Sequence, residues 1–162
     1  KMKTGIIIIC YNNENDIDTD WCIKYLNNIK DIEFCLVNNN SEDNTYDLLK
    51  EISETCVNVS VVNINKHKTD ISAVRAGARF MFNQFNLKYL GFVNTTMISK
   101  YEDLSFLIKA IRDNQVDISK YNQSMLNRKG MKPTMFQSLF PVMDYLAKNN
   151  IINQYRKLNH QG

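Results

Sequence analysis

Four short apolar runs recur along the chain, each closed by a polar break and followed by a segment with helical spacing. This alternation limits the fold more than any other feature. Gly5-Ile6-Ile7-Ile8-Ile9-Cys10 is a continuous, largely β-branched run, the mark of a strand covered on both faces. It ends at Tyr11-Asn12-Asn13-Glu14. A helix follows, with Asp18 or Thr19 near its start and Trp21, Ile23, Leu26 and Ile29 inward. The run Phe34-Cys35-Leu36-Val37 stops at Asn38-Asn39-Asn40. There Ser41 is the candidate N-cap of a helix carrying Leu48, Leu49 and Ile52, and Glu42 and Asp43 suit the positive end of that helix. Residues 57–64 read as a third strand. After the break at 65–68, Thr69 or Asp70 caps a helix carrying Ile71, Val74, Ala78, Phe82 and Phe85. Ala73, Ala76, Gly77 and Ala78 make part of that helix thin enough for close backbone packing. Residues 89–93 form a fourth strand ending at Asn94-Thr95-Thr96, a helix spans about 102–112, and 116–119 is a short strand-like piece. Short connections between alternating strands and helices imply right-handed crossovers and a mostly parallel sheet, hence an α/β three-layer sandwich.

A length of 162 residues suits one domain with a real core, and 23% charged residues beside 44% hydrophobic ones places the chain among globular proteins. The net charge of +3, with no dominant Lys/Arg cluster, gives nucleic-acid binding no support. None of the four cysteines forms a Cys-x-x-Cys pair, so buried free thiols in a reducing compartment are expected. His67 and His160 are too isolated to suggest a metal site. No apolar segment has the length to span a bilayer and the amino terminus lacks a signal-peptide layout, which predicts a cytoplasmic protein. Residues 122–162 read as a helical extension of the domain formed by 1–121. In that extension Met135, Phe136, Leu139, Phe140, Val142, Met143, Leu146 and Ala147 recur at helical spacing, with Pro141 kinking or restarting the helix. Such a stripe either covers the core or, beside Arg128, Lys129 and Lys132, makes peripheral contact with a membrane surface.

Ligands of open α/β sheets bind outside the carboxyl ends of the strands. The Asn38-Asn39-Asn40 loop falls in that position, where it either reads a ligand or serves as a polar turn. Four strand-end loops also line up with a known family. Ile8-Ile9-Cys10-Tyr11-Asn12-Asn13-Glu14, Val37-Asn38-Asn39-Asn40-Ser41-Glu42-Asp43-Asn44-Thr45, the helix 69–77 with Ala73 and Gly77, and Phe92-Val93-Asn94-Thr95-Thr96 together resemble the motifs of family 2 glycosyltransferases with the GT-A fold. Tyr101-Glu102-Asp103-Leu104 and Asp117-Ile118-Ser119-Lys120-Tyr121 are similar to stretches of the polyprenyl-phosphate sugar transferase branch. These motifs span most of residues 3–121.

The resemblance implies transfer of a sugar from a nucleotide-sugar donor, with a UDP-sugar favoured, to an unidentified acceptor that is a saccharide or lipid-linked. It puts Tyr11, Asn13 and Glu14 beside the base and ribose, Asn38 and Asn39 at the base edge, Lys68 or Arg75 at the diphosphate, and Asn94, Thr95 and Thr96 at the Asp-x-Asp position. An arginine fork can stabilise leaving-group charge without a metal. The chain departs from the family in that Asp-x-Asp motif. A divalent cation such as Mg²⁺ or Mn²⁺ wants carboxylates, and Asn94 and Thr96 offer neutral dipoles. Asp144 is the only carboxylate after Asp117 and sits within the apolar stripe, so no catalytic base is assigned. The alternative function is a catalytically inactive GT-A-fold binding or docking module. No Gly-rich phosphate loop supports other nucleotide-binding folds.

Overall fold

A computed structural model describes residues 3–94, 101–114, 116, 117, 120, 140 and 141. The elements run β1 (Lys3–Cys10), α1 (Thr19–Asn27), β2 (Ile32–Asn39), α2 (Thr45–Thr55), β3 (Val59–Ile64), α3 (Asp70–Gln84), β4 (Leu87–Asn94), α4 (Tyr101–Asp113) and β5 (Phe140–Pro141). The strands form one sheet in the order β3-β2-β1-β4-β5, and every pairing is parallel. The chain is thus an α/β three-layer sandwich.

The sidedness of the helices follows from that order. The crossovers β1 to β2 and β2 to β3 step outward in one direction, so right-handedness puts α1 and α2 on one face. The return from β3 to β4 passes over the other face and carries α3. Strand alternation divides the core accordingly. Ile6, Ile8, Phe34 and Leu36 meet Cys22 and Leu26 of α1, Leu49 and Ile52 of α2, and Ile108 and Ile111 of α4. Ile7, Ile9, Cys35 and Val37 meet Ala73, Val74, Ala78 and Met81 of α3. A Cβ added at Gly77 would lie 3.0 Å from both Ile7 Cγ2 and Val37 Cγ2, so the thin face of α3 is what lets the helix sit this close to the sheet. All four cysteines are buried and free. Burial pushes the thiols of Cys10, Cys22 and Cys35 up to about 12, which makes them inert core residues.

The capping of α1 by Asp18, which accepts from Trp21 N–H, and of α3 by Thr69, which accepts from Ser72 N–H, follows the sequence. Four expectations are corrected. Helix α2 starts at Thr45 rather than after Ser41, because Ser41 and Asp43 spend their oxygens on bonds that tie two loops together. Ile71 is 67% exposed, since the inward stripe of α3 runs through Ala73, Val74, Gly77, Ala78 and Met81. Val116 and Asp117 are helical, not strand-like. Phe140 and Pro141 form a strand beside Gly91 and Phe92, not part of a helix. An outer strand tolerates a residue without an N–H, as at Pro141. The other residues of the stripe at 135–147, with Arg128, Lys129, Lys132 and Asp144, lie outside the described residues.

Candidate functional site

Strands β1 and β4 are neighbours, and the connection after β1 leads to β2 on one side while that after β4 leads to β5 on the other. Such a switch point is where open parallel sheets form a ligand crevice, here beyond Cys10, Asn38, Asn39, Ile64 and Asn94. Cys10 pairs with Asn38 in register, Asn39 with Ile64, and Ile9 with Asn94. The loops 11–18, 40–44 and 65–69 form its described walls.

Two of these loops are locked together by side chains 29 to 32 residues apart in sequence. Ser41 Oγ accepts from Asn12 N–H at 3.1 Å and donates to Asn38 Oδ1 at 2.5 Å. Thr45 Oγ1 accepts from Asn13 N–H at 2.7 Å and donates to Asp43 Oδ1 at 2.5 Å. Each hydroxyl is therefore used as both donor and acceptor. Asp43 Oδ2 takes Glu14 N–H, Asn12 Oδ1 takes Glu42 N–H, and Glu14 Oε1 takes Asn44 Nδ2. Asn12 and Asn40 turn their loops with φ of 50° and 55°, left-handed values that asparagine tolerates better than most residues. Partial burial alone would raise the Asp43 carboxyl. The hydrogen bonds from the Thr45 hydroxyl and from the backbone of Thr45 and Glu14 outweigh it and hold the carboxyl below its ordinary value.

The structure places the expected site residues unevenly. Tyr11 is 38% exposed at the crevice mouth, Asn13 is buried with its Oδ1 accepting from Tyr11 N–H, and Glu14 is half-buried. Asn38 and Asn39 are only 3% and 1% exposed. Asn38 Nδ2 donates to Asn63 Oδ1, while its Oδ1 accepts from Ser41. Asn39 grips the backbone of Lys68 twice: Nδ2 donates to Lys68 O at 2.8 Å and Oδ1 accepts from Lys68 N–H at 2.9 Å. Both amides are thus turned into the protein. Lys68 and Arg75 are exposed, and among the described residues neither forms an ion pair. Asn94 closes β4 beside the end of β1, and Thr95 and Thr96 lie outside the described residues.

One feature of the site is absent from the sequence reading. His67 Nδ1 lies 3.0 Å from the carbonyl oxygen of Asn39, and the His67 ring meets the Tyr11 ring edge-on, with centroids 4.7 Å apart and planes at 62°. The available signal was strand order: with β3 beside β2, the 65–68 loop must neighbour the asparagine loop.

The resemblance to family 2 would place a divalent ion at Asn94, Thr95 and Thr96, and the donors among the described residues do not suit one. Asparagine supplies a neutral amide, and among the described residues no group of three His, Cys, Asp or Glu side chains could hold a metal. No helix among the described residues is long and apolar enough to cross a membrane. The family model described as glycosyl transferase family 2 matches residues 5–158. No curated protein sequence matches the chain.

Proposed function

The chain belongs to glycosyl transferase family 2, and from that membership we propose that it binds a nucleotide-sugar donor, a UDP-sugar first among the candidates, across the β1/β4 switch point. The observation that carries this reading is the coincidence of the family match with the crevice. The matched stretch contains the locked 11–14 and 41–45 loops, and these wall the place where an open parallel sheet takes a ligand.

In the transfer, an acceptor hydroxyl oxygen bonds to the anomeric carbon of the sugar. The bond from that carbon to the diphosphate breaks, the nucleoside diphosphate leaves with the electron pair, and the hydroxyl proton passes to solvent water. Tyr11, Asn13 and Glu14 bound the base and ribose. Asn38 and Asn39 act from beneath, by holding Ser41 and the Lys68 backbone in place. Lys68 and Arg75 meet the diphosphate, so cations of the chain itself take the charge that the Asp-x-Asp carboxylates and their metal would otherwise handle. A lipid-linked acceptor fits the similarity of 101–104 and 117–121 to the polyprenyl-phosphate branch. It would bring residues 122–162 to the cytoplasmic face of a membrane.

Titration calorimetry with UDP, GDP, CDP and their sugar conjugates, with and without Mn²⁺, tests the proposal. We expect one nucleotide to bind selectively and independently of the metal. No binding of any of them at about 1 mM, the edge of useful affinity at roughly −4 kcal/mol, overturns the transferase reading in favour of a docking module.

A further inference from the structure

We propose that His67 is the residue that reads the nucleobase of the donor, through Nε2, and so sets which nucleotide the site accepts; this rests on the donor-binding reading above. The inference begins with the asparagines. A base can be recognised only by polar groups that reach it. Asn38 and Asn39 are buried, with their amides bonded to Asn63, Ser41 and the Lys68 backbone. The task passes to the next polar group on that rim, the imidazole that follows β3.

His67 is held from three directions. A carbonyl oxygen can only accept, so the 3.0 Å contact with Asn39 O puts the hydrogen on Nδ1. The Tyr11 ring braces the imidazole edge-on. The following residue, Lys68, is clamped through both backbone groups by Asn39. With Nδ1–H committed, Nε2 of the neutral ring is an acceptor on the far side of the imidazole. Among the described residues it makes no hydrogen bond. The Tyr11 and His67 rings stand at 62° and form a corner. A flat base stacked on the exposed Tyr11 ring presents its edge to Nε2. An acceptor there selects a ring N–H, N3–H of uracil or N1–H of guanine, and disfavours the bare ring nitrogen that cytosine and adenine present at the corresponding position. A site built to hydrogen-bond such a group discriminates strongly against a ligand that lacks it.

The test compares wild-type protein with His67→Phe and His67→Ala. Kd values for UDP, CDP, GDP and ADP are measured by calorimetry, and ¹⁵N NMR follows the imidazole nitrogens. The chain holds only two histidines, so the His67 signals are those lost in His67→Phe. We expect wild-type protein in the Nδ1–H tautomer, with the Nε2 resonance moving as the preferred nucleotide saturates the site. His67→Phe should keep a wild-type melting temperature, bind that nucleotide about tenfold more weakly, the loss of one good hydrogen bond to a base, and lose most of the discrimination among the four. Wild-type affinities and discrimination in a folded His67→Phe protein, or an Nε2 resonance unmoved at saturation, overturn the assignment while leaving the transferase reading intact. Wild-type protein that binds no nucleotide removes both.

Discussion

Asp43 shows how one carboxylate fixes the shape of the crevice. It holds the first N–H of α2 through Thr45, the hydroxyl of the same residue, and the N–H of Glu14 on the opposite loop. Asp43→Ala frees all three donors at once. It should lower the unfolding free energy at neutral pH by about 1 kcal/mol, the low end for bonds to a charged group because solvent reaches this carboxylate. The sign of the pH dependence follows from the direction of its shift. A carboxyl held below its ordinary value of 3.8 stabilises the fold above that value, and the contribution disappears as pH falls through the lowered one. Urea midpoints of wild-type and Asp43→Ala protein should therefore differ at pH 7 and converge in strong acid. A gap that persists at low pH would mean that the charge is not what matters. At this scale the sequence was only half readable. Residue types marked the two loops as special, but nothing local reveals that Ser41 serves Asn12 and Asn38 rather than a helix end. Nor does it reveal that Asn39 is spent on Lys68, since Asn12 lies 29 residues from Ser41 and Lys68 lies 29 residues from Asn39.

Among the elements, α3 carries the tightest packing constraint. Gly77 faces the side chains of Ile7 and Val37 at distances that leave a β-carbon little room and a branched side chain none. Gly77→Val must push α3 away from the sheet or force off-rotamer side chains in the strands, at about 1–3 kcal/mol. The helix starts beside Lys68, so the displacement should reach the crevice as well. We expect a lowered melting temperature together with weaker nucleotide binding. An unchanged melting temperature would show that the interface yields freely. The small-residue patch that creates this interface was visible in the sequence, as were β1, β2 and the caps of α1 and α3, because continuous β-branched runs and Asp18 or Thr69 before a helix act locally. The strand at Phe140–Pro141 was not visible. Its neighbours share the spacing of a helix, and only pairing with Gly91 and Phe92, some fifty positions earlier, makes it a strand.

Over the whole molecule, the net charge of +3 is too small to attract a nucleoside diphosphate by itself. What matters is where the cations sit. Lys66, Lys68 and Arg75 occupy the loop after β3 and the first turns of α3, all exposed. A site that neutralises phosphate with exposed side chains is screened by salt, because the Debye length falls from about 10 Å at 0.1 M to about 3 Å at 1 M. A diphosphate clamped by a tightly coordinated ion would instead depend on the metal more than on ionic strength. Affinity for UDP should therefore drop several-fold across that salt range and be the same in EDTA as in Mn²⁺. In Arg75→Ala affinity at low salt should fall about tenfold, the loss of a charge-assisted pair worth roughly 1–2 kcal/mol at a solvent-exposed site, and part of the salt dependence should go with it, Lys66 and Lys68 keeping the rest. Arg75→Lys should recover the salt dependence but not the full affinity, since an ammonium keeps the charge and loses the fork. If Mn²⁺ tightens binding and Arg75→Ala does not weaken it, the leaving charge is met by a metal held on carboxylates outside the described crevice, and the cationic clamp is wrong.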